Sequence, residues 1–310
     1  LAPSSPPLVL ASLSSLPVEM CSHMARWGAL GVYGWALVWS VIGFYCRVRI
    51  SGRPPVSNMY ESIIWVGFMT GVIAFVLEMI FRKGVIALAG GVVSMFGLIL
   101  ADQLPLVFKP DIQPLQAVLR SNYWLIIYVF TIVSSYSAFA LLCSLSNINL
   151  GLLLLAPHRR DLIKTLSHFC YRAIQIGVVL LAAGTLLGGF WAAESWGRFW
   201  GWDPKEVWAL IALLFYVIPL HARYVGWVKD FGLAICSVVC FSSVVMAWYG
   251  VNYILGAGLH SYGFGSGNDF WVYWAGLFNI ALVMLAASRN LARSQIRMQS
   301  DTTTECSPHQ

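Results

Sequence analysis

The sequence predicts an all-α integral membrane protein of about eight transmembrane helices, with a tryptophan-rich loop on the outer side. Three observations carry this. The 310 residues are 59% hydrophobic and only 10% charged, where an ordinary soluble domain is about 25% charged. Apolar segments near the length a bilayer demands, about 20 residues, recur along the chain. Lys and Arg collect in alternate loops, the pattern that orients membrane proteins. The net charge of +6 is therefore topology, with basic residues scattered at helix ends rather than lined up for nucleic acid.

Taken in order, residues 1–26 form a non-membrane N-terminal segment, because 1–24 are too broken by Pro and Ser for a span and lack the basic start of a signal peptide. A polytopic membrane domain covers 27–290, and 291–310 form a cytoplasmic tail. The spans fall near 27–46, 62–81, 84–101, 124–145, 173–191, 205–223, 231–250 and 270–288. Arg159, Arg160, Lys164 and Arg172 in the 146–172 loop, Arg223 and Lys229, the tail arginines 289, 293 and 297, and Arg82 with Lys83 share one side, predicted cytoplasmic. The loops at 102–123, 192–204 and 251–269 then face outward. Arg47, Arg49 and Arg53 break the rule: they fall on the outer side. Either the first span is misplaced or these arginines serve something there.

The outer loop within 191–208 carries Trp196, Trp200, Trp202 and Trp208 with glycines between them. Clustered indoles with close backbone approach make an apolar platform that suits a large planar ligand such as a porphyrin. The loop opens into a strong helix start: Asp203 as N-cap, Pro204 at N1 and Glu206 at N3 form a capping box. The cap accounts for Asp203 and Glu206 by itself, but not for the tryptophans.

The seven cysteines include no CxxC and no CxxCH, so the chain has no covalent haem attachment motif and no thioredoxin-like redox motif of its own. Among the six histidines two stand out. His221 lies near the cytoplasmic end of the sixth span, where an ionisable group is either functional or an interfacial residue beside Arg223. His260 sits in a glycine-rich, aromatic outer loop, either bonded to backbone or placed to ligate iron. A quinone-linked cytochrome b would need facing histidine pairs inside the bundle, and only His221 lies within a span. A small-solute transporter would be expected to show internal repeats, and none is found.

Trp196-Gly-Arg-Phe-Trp-Gly-Trp-Asp203 resembles the WWD signature of haem-handling cytochrome c assembly proteins. Pro55-Val-Ser-Asn-Met-Tyr-Glu-Ser62, Gln113 to Leu125, and Gly258-Leu-His-Ser-Tyr262 resemble three further stretches of the CcsA (ResC) family, in the family's order. The resemblance implies haem delivery and presentation for covalent attachment to apocytochrome c CxxCH motifs on the outer side. That is the work of a System II cytochrome c synthetase (haem lyase) subunit acting with a CcsB/ResB-type partner. The alternative it leaves open is a haem exporter or chaperone without ligation activity. The ligand expected is haem b, and the compartment a bacterial inner or internal membrane or a plastid thylakoid. Expected partners are the CcsB/ResB-type protein, apocytochrome c and the bilayer, with no nucleic acid. By the same resemblance His260 is an external iron ligand and His221 an intramembrane one. The other external histidine of the family falls at Tyr128, a departure that leaves three readings open: Tyr128 pairs with His260 on the iron, His260 acts with a ligand from a partner, or the chain is a divergent paralogue with altered activity. Trp196, Trp200 and Trp202 would pack on the porphyrin, Asp203 belongs to the signature, and Arg198, Lys205 or Arg120 would pair with propionates.

Overall fold

The structure, a computed structural model, describes residues 8–103, 111–112, 123–260 and 270–305. Arg120, most of the 113–125 stretch, Ser261 and Tyr262 lie outside the described residues. Among the described residues, eight helices are long and apolar enough to cross a bilayer: α1 (Leu8–Ser51), α2 (Met59–Phe81), α3 (Val85–Gln103), α4 (Tyr123–Leu155), α5 (Arg160–Trp196), α6 (Pro204–Tyr224), α7 (Asp230–Val245, continuing as a π-helix over Met246–Leu255) and α8 (Phe270–Glu305). No strand is present among the described residues. The chain is an integral membrane protein of the predicted class.

Helix ends follow from local chemistry. Asn58 caps α2 by accepting the Glu61 amide at 2.7 Å, and Glu61 reaches back to the Ser57 amide and hydroxyl at 2.8 and 2.7 Å. The Ser57-Asn-Met-Tyr-Glu61 run is thus a helix start. At α6 the predicted capping box forms, with Pro204 in its first turn.

Two boundaries differ from the sequence reading. The expected 146–172 loop is mostly helix, since α4 runs to Leu155 and α5 begins at Arg160. Hydropathy detects only the part of a helix that must be apolar. The extension is held by polar pairs: Asn149 donates to the Ser167 hydroxyl at 3.0 Å, and Asn147 to the Asn279 amide oxygen of α8 at 3.0 Å. Likewise α1 begins at Leu8, inside the segment expected to be broken.

The helix α4 is the hub, packing on α2, α3, α5, α7 and α8. More than half of its most apolar window is buried inside the protein, against 6% for α1 and α8. Those two helices therefore turn most of their apolar surface to the surroundings. Small residues set the close α4–α5 contact, as in other membrane bundles: a Cβ on Gly184 would meet the Ile132 backbone at 2.9 Å. Beside it, Phe139 of α4 stacks on Tyr216 of α6 at 3.8 Å between ring centres.

Candidate functional site

One end of the bundle encloses a cavity of about 590 Å³, within the roughly 300–1,000 Å³ range of ligand sites. Its wall draws on the α1–α2 loop (Arg53), α4 (Tyr128), α5, the loop before α6 (Trp200), the start of α6 (Lys205), the π-helical end of α7 (Trp248) and His260. Of the loops assigned by charge to the outer side, 192–204 and 251–269 meet here in their described residues. The dissenting Arg53 joins them. A helix apolar enough to cross a bilayer covers His23–Ser51; Arg47 near its end donates to Glu61 at 2.8 Å and lies over the Tyr60 ring, while Arg53 lines the cavity.

Asp203 organises this end. Its side chain accepts the Lys205 amide at 3.1 Å as N-cap of α6, the Leu259 amide at 2.6 Å and His260 Nδ1 at 2.8 Å. Burial alone would raise its pKa. The hydrogen bond and charge of His260, with the amides of Lys205 and Leu259, overcome that and hold the carboxyl down at about 2. A carboxylate can only accept, so Nδ1 of His260 carries a proton, and in the neutral imidazole the lone pair lies on Nε2. A carboxylate behind a histidine in this way fixes its tautomer and ring orientation and raises its basicity toward a metal. Gly258 makes the approach possible. Its φ is +96°, and a Cβ there would strike the Asp203 carboxylate.

The tryptophans take separate stations. Trp196 packs edge-on against His260 at 4.8 Å and carries the Arg198 guanidinium over its ring at 5.5 Å. Trp200 lines the cavity. Trp202 stands 71% exposed, edge-on to Trp200, in a left-handed conformation (φ 58°) that non-glycine residues seldom adopt. Rather than one flat platform, the loop supplies a backing for the imidazole, a wall and an outward-facing ring.

Tyr128 lines the same cavity as His260, and both rings pack on Trp191, at 5.3 and 6.0 Å between centres. Arg198 is engaged: it donates to Glu206 at 3.0 Å, whose other oxygen accepts the Gly201 and Asp203 amides. Lys205 lines the cavity and forms no ion pair within 4 Å among the described residues. His221 is not brought to this site. It lies exposed near the far end of α6, its Nδ1 2.9 Å from the Val217 carbonyl. A carbonyl can only accept, so here too Nε2 carries the lone pair.

Sequence reasoning missed three participants. Trp191 is fully buried and bridges Tyr128, Trp196 and His260, but in sequence it is only the last apolar residue of a span. Trp248 and Asn252 come from the π-helix. Trp248 donates to Ser62 at 2.9 Å, and the buried Asn252 Oδ1 has no hydrogen-bond partner among the described residues. A ten-residue π-helix is rare, and such segments gather at functional sites, but nothing in an apolar run announces one.

The residues fit a porphyrin. The cavity has an aromatic and glycine-rich wall, an imidazole with Nε2 available to iron, and cationic groups at its edge. Tyrosine is also a known type of axial ligand.

Comparison with known proteins converges on the same stretch. The family described as "Cytochrome C assembly protein" matches residues 56–260, beginning in the α1–α2 loop of the cavity and ending on His260. Protein NrfI of Wolinella succinogenes is 34% identical over 262 residues, 82% of this chain and 27% of that protein. The cytochrome c biogenesis protein CcsA of Chlamydomonas reinhardtii is 33% identical over 266 residues, 82% of this chain and 73% of the relative. CcsA of Guillardia theta is 34% identical over 241 residues, 69% of this chain and 78% of the relative. The chain thus spans about a quarter of NrfI and about three quarters of the two algal proteins.

Proposed function

We propose that this chain, which belongs to the cytochrome c assembly protein family, binds haem b in the cavity beside His260 and presents it for attachment to apocytochrome c. The observation that carries the reading is the Asp203–His260 pair at the cavity wall. It fixes an imidazole tautomer whose Nε2 suits iron, in the wall of a cavity lined by aromatic side chains. Tyr128, in the same wall, would supply a second ligand to the iron or pack beside the porphyrin.

In the attachment step, each cysteine thiol of a CxxCH motif adds across a porphyrin vinyl group. Sulfur bonds to one vinyl carbon, the thiol proton ends on the other, and no electrons are gained or lost overall. For this addition the protein's share is positioning. Asp203 holds the imidazole, Trp196 and Trp191 fix its plane, and Trp202 stands outward where an approaching polypeptide can pack.

His221 is the ligand of an earlier stage. It is exposed at the other end of α6 with Nε2 unused by its own helix, which suits a site completed by a CcsB/ResB-type partner through which haem enters. A synthetase subunit and a haem exporter share the cavity and differ in the last step. The test is reconstitution of the purified chain with that partner, haem and a CxxCH peptide. A covalent haem–peptide product is expected. Haem binding without product leaves an exporter. A chain that binds no haem, with expression retained, overturns the reading.

A further inference from the structure

We infer that Arg53 is the anion anchor of the cavity and makes it selective for a ligand with free carboxylates. This rests on the porphyrin reading above and names the subsite that would receive a propionate.

The Arg53 side chain is only 10% exposed and lines the cavity. Its Nε and Nη2 are buried and have no hydrogen-bond partner among the described residues. Glu61 is the nearest carboxylate, at 3.9 Å from Nη2, beyond hydrogen-bonding distance. Glu61 is also already spent: Arg47 takes one oxygen at 2.8 Å, and the Ser57 amide and hydroxyl take the other. The loop thus pairs one arginine fully and leaves a second guanidinium desolvated in the wall of the cavity.

Glu61 is near enough to balance the charge, but buried guanidinium N–H groups left without acceptors cost free energy unless a ligand completes them. The helix cap at Ser57–Glu61 sets the loop around the cavity, so the same residues that close α2 present Arg53 to the cavity. Across the rest of the described wall, Glu206 is neutralised by Arg198, while Lys205 has no ion pair among the described residues. Among those residues two cations, Arg53 and Lys205, therefore face a space whose acid, Glu206, is already paired. Guanidinium suits a carboxylate, which it grips with two parallel hydrogen bonds. A porphyrin with two propionates matches this charge pattern better than a neutral ligand does. Arg198, the propionate partner expected from sequence, is held by Glu206 and Trp196 instead.

The experiment titrates the full chain, in zwitterionic and in anionic lipid nanodiscs, with haem and with haem dimethyl ester, whose propionates are blocked. Wild type is expected to prefer haem. Arg53→Gln should weaken haem binding about 10- to 100-fold, the range of one charge-assisted hydrogen-bond pair. It should leave the ester's affinity and the axial-ligand absorbance unchanged, and Arg53→Lys should recover part of the loss. Apo stability of Arg53→Gln and of Arg53→Met should equal or exceed that of wild type, because no internal hydrogen bond of the side chain is removed. Equal losses for haem and ester, or a destabilised apo protein, would mean a structural arginine and overturn the assignment. Loss of the haem preference in anionic nanodiscs alone would mean that a lipid phosphate holds Arg53, which also overturns it. Wild type that binds neither porphyrin overturns the haem reading itself, whereas wild type that binds both equally removes only the role of Arg53.

Discussion

The two histidines at opposite ends of α6 are held in different ways. His221 is fixed by its own helix, through the carbonyl one turn back, and stands exposed. His260 is fixed by a residue 57 positions away, walled by Trp191 and Trp196, and only 12% of its side chain is exposed. Both end with Nδ1 protonated and Nε2 bearing the lone pair. One imidazole is therefore completed within the fold. The other offers its ligand nitrogen to whatever lies beside α6, as a half-site would.

The sharpest way to break this comparison is His260→Ala. It should abolish the haem absorbance of chain purified with its partner and loaded from the outer side, with expression retained. Unchanged haem content and coordination would remove His260 from the site. His221→Ala should behave in the opposite sense, lowering haem acquired in cells while leaving the spectrum of haem added to the purified chain unchanged. Next in size is Asp203→Asn. Asparagine caps helices as well as aspartate does, so α6 should keep its start while the imidazole loses its carboxylate. Haem affinity should fall about 10- to 100-fold, measured by titration, with helicity unchanged by circular dichroism. An equal loss of helicity would make Asp203 a cap and nothing more.

Tyr128→His asks whether the two cavity walls share one iron. A shift to a low-spin bis-imidazole spectrum is expected if position 128 faces the metal, and an unaltered spectrum denies it. The smallest effect concerns pH. Asp203 is held near 2, below the ordinary carboxylate value of about 3.9. Its contribution to the folded state is therefore complete above about pH 4 and lost as pH falls toward 2. Melting of the apo protein should show an acid decline in this window that Asp203→Asn flattens, and no step from Asp203 between pH 5 and 8.

The sequence made much of this end of the molecule legible, for identifiable reasons. Span number follows from hydropathy, and the side of each loop from its arginines, so His260, Trp200 and Tyr128 were placeable together. The capping box at Asp203–Glu206 is local and readable. That the same carboxylate reaches Leu259 and His260 is a tertiary fact, invisible to spacing. Arg53 was visible only as a violation of the charge rule, and the violation pointed to the cavity. Trp191 and the π-helix left no trace, because an apolar residue in an apolar run carries no sign of which neighbour it will touch. The long α4–α5 extension was missed because hydropathy does not register polar pairing between helices, such as Asn149 with Ser167 and Asn147 with Asn279.

Asp203 has one further consequence. The same carboxylate is both the first link of α6 and the rest against which the imidazole leans. Fraying of that first turn would therefore also let the imidazole proposed to hold iron swivel, and ordering of the turn would set it again. A docking polypeptide that pressed on the exposed Trp202, directly before the cap, would act on the hinge pin of the ligand itself. Grip and release of the cargo would then be governed by a single turn of helix.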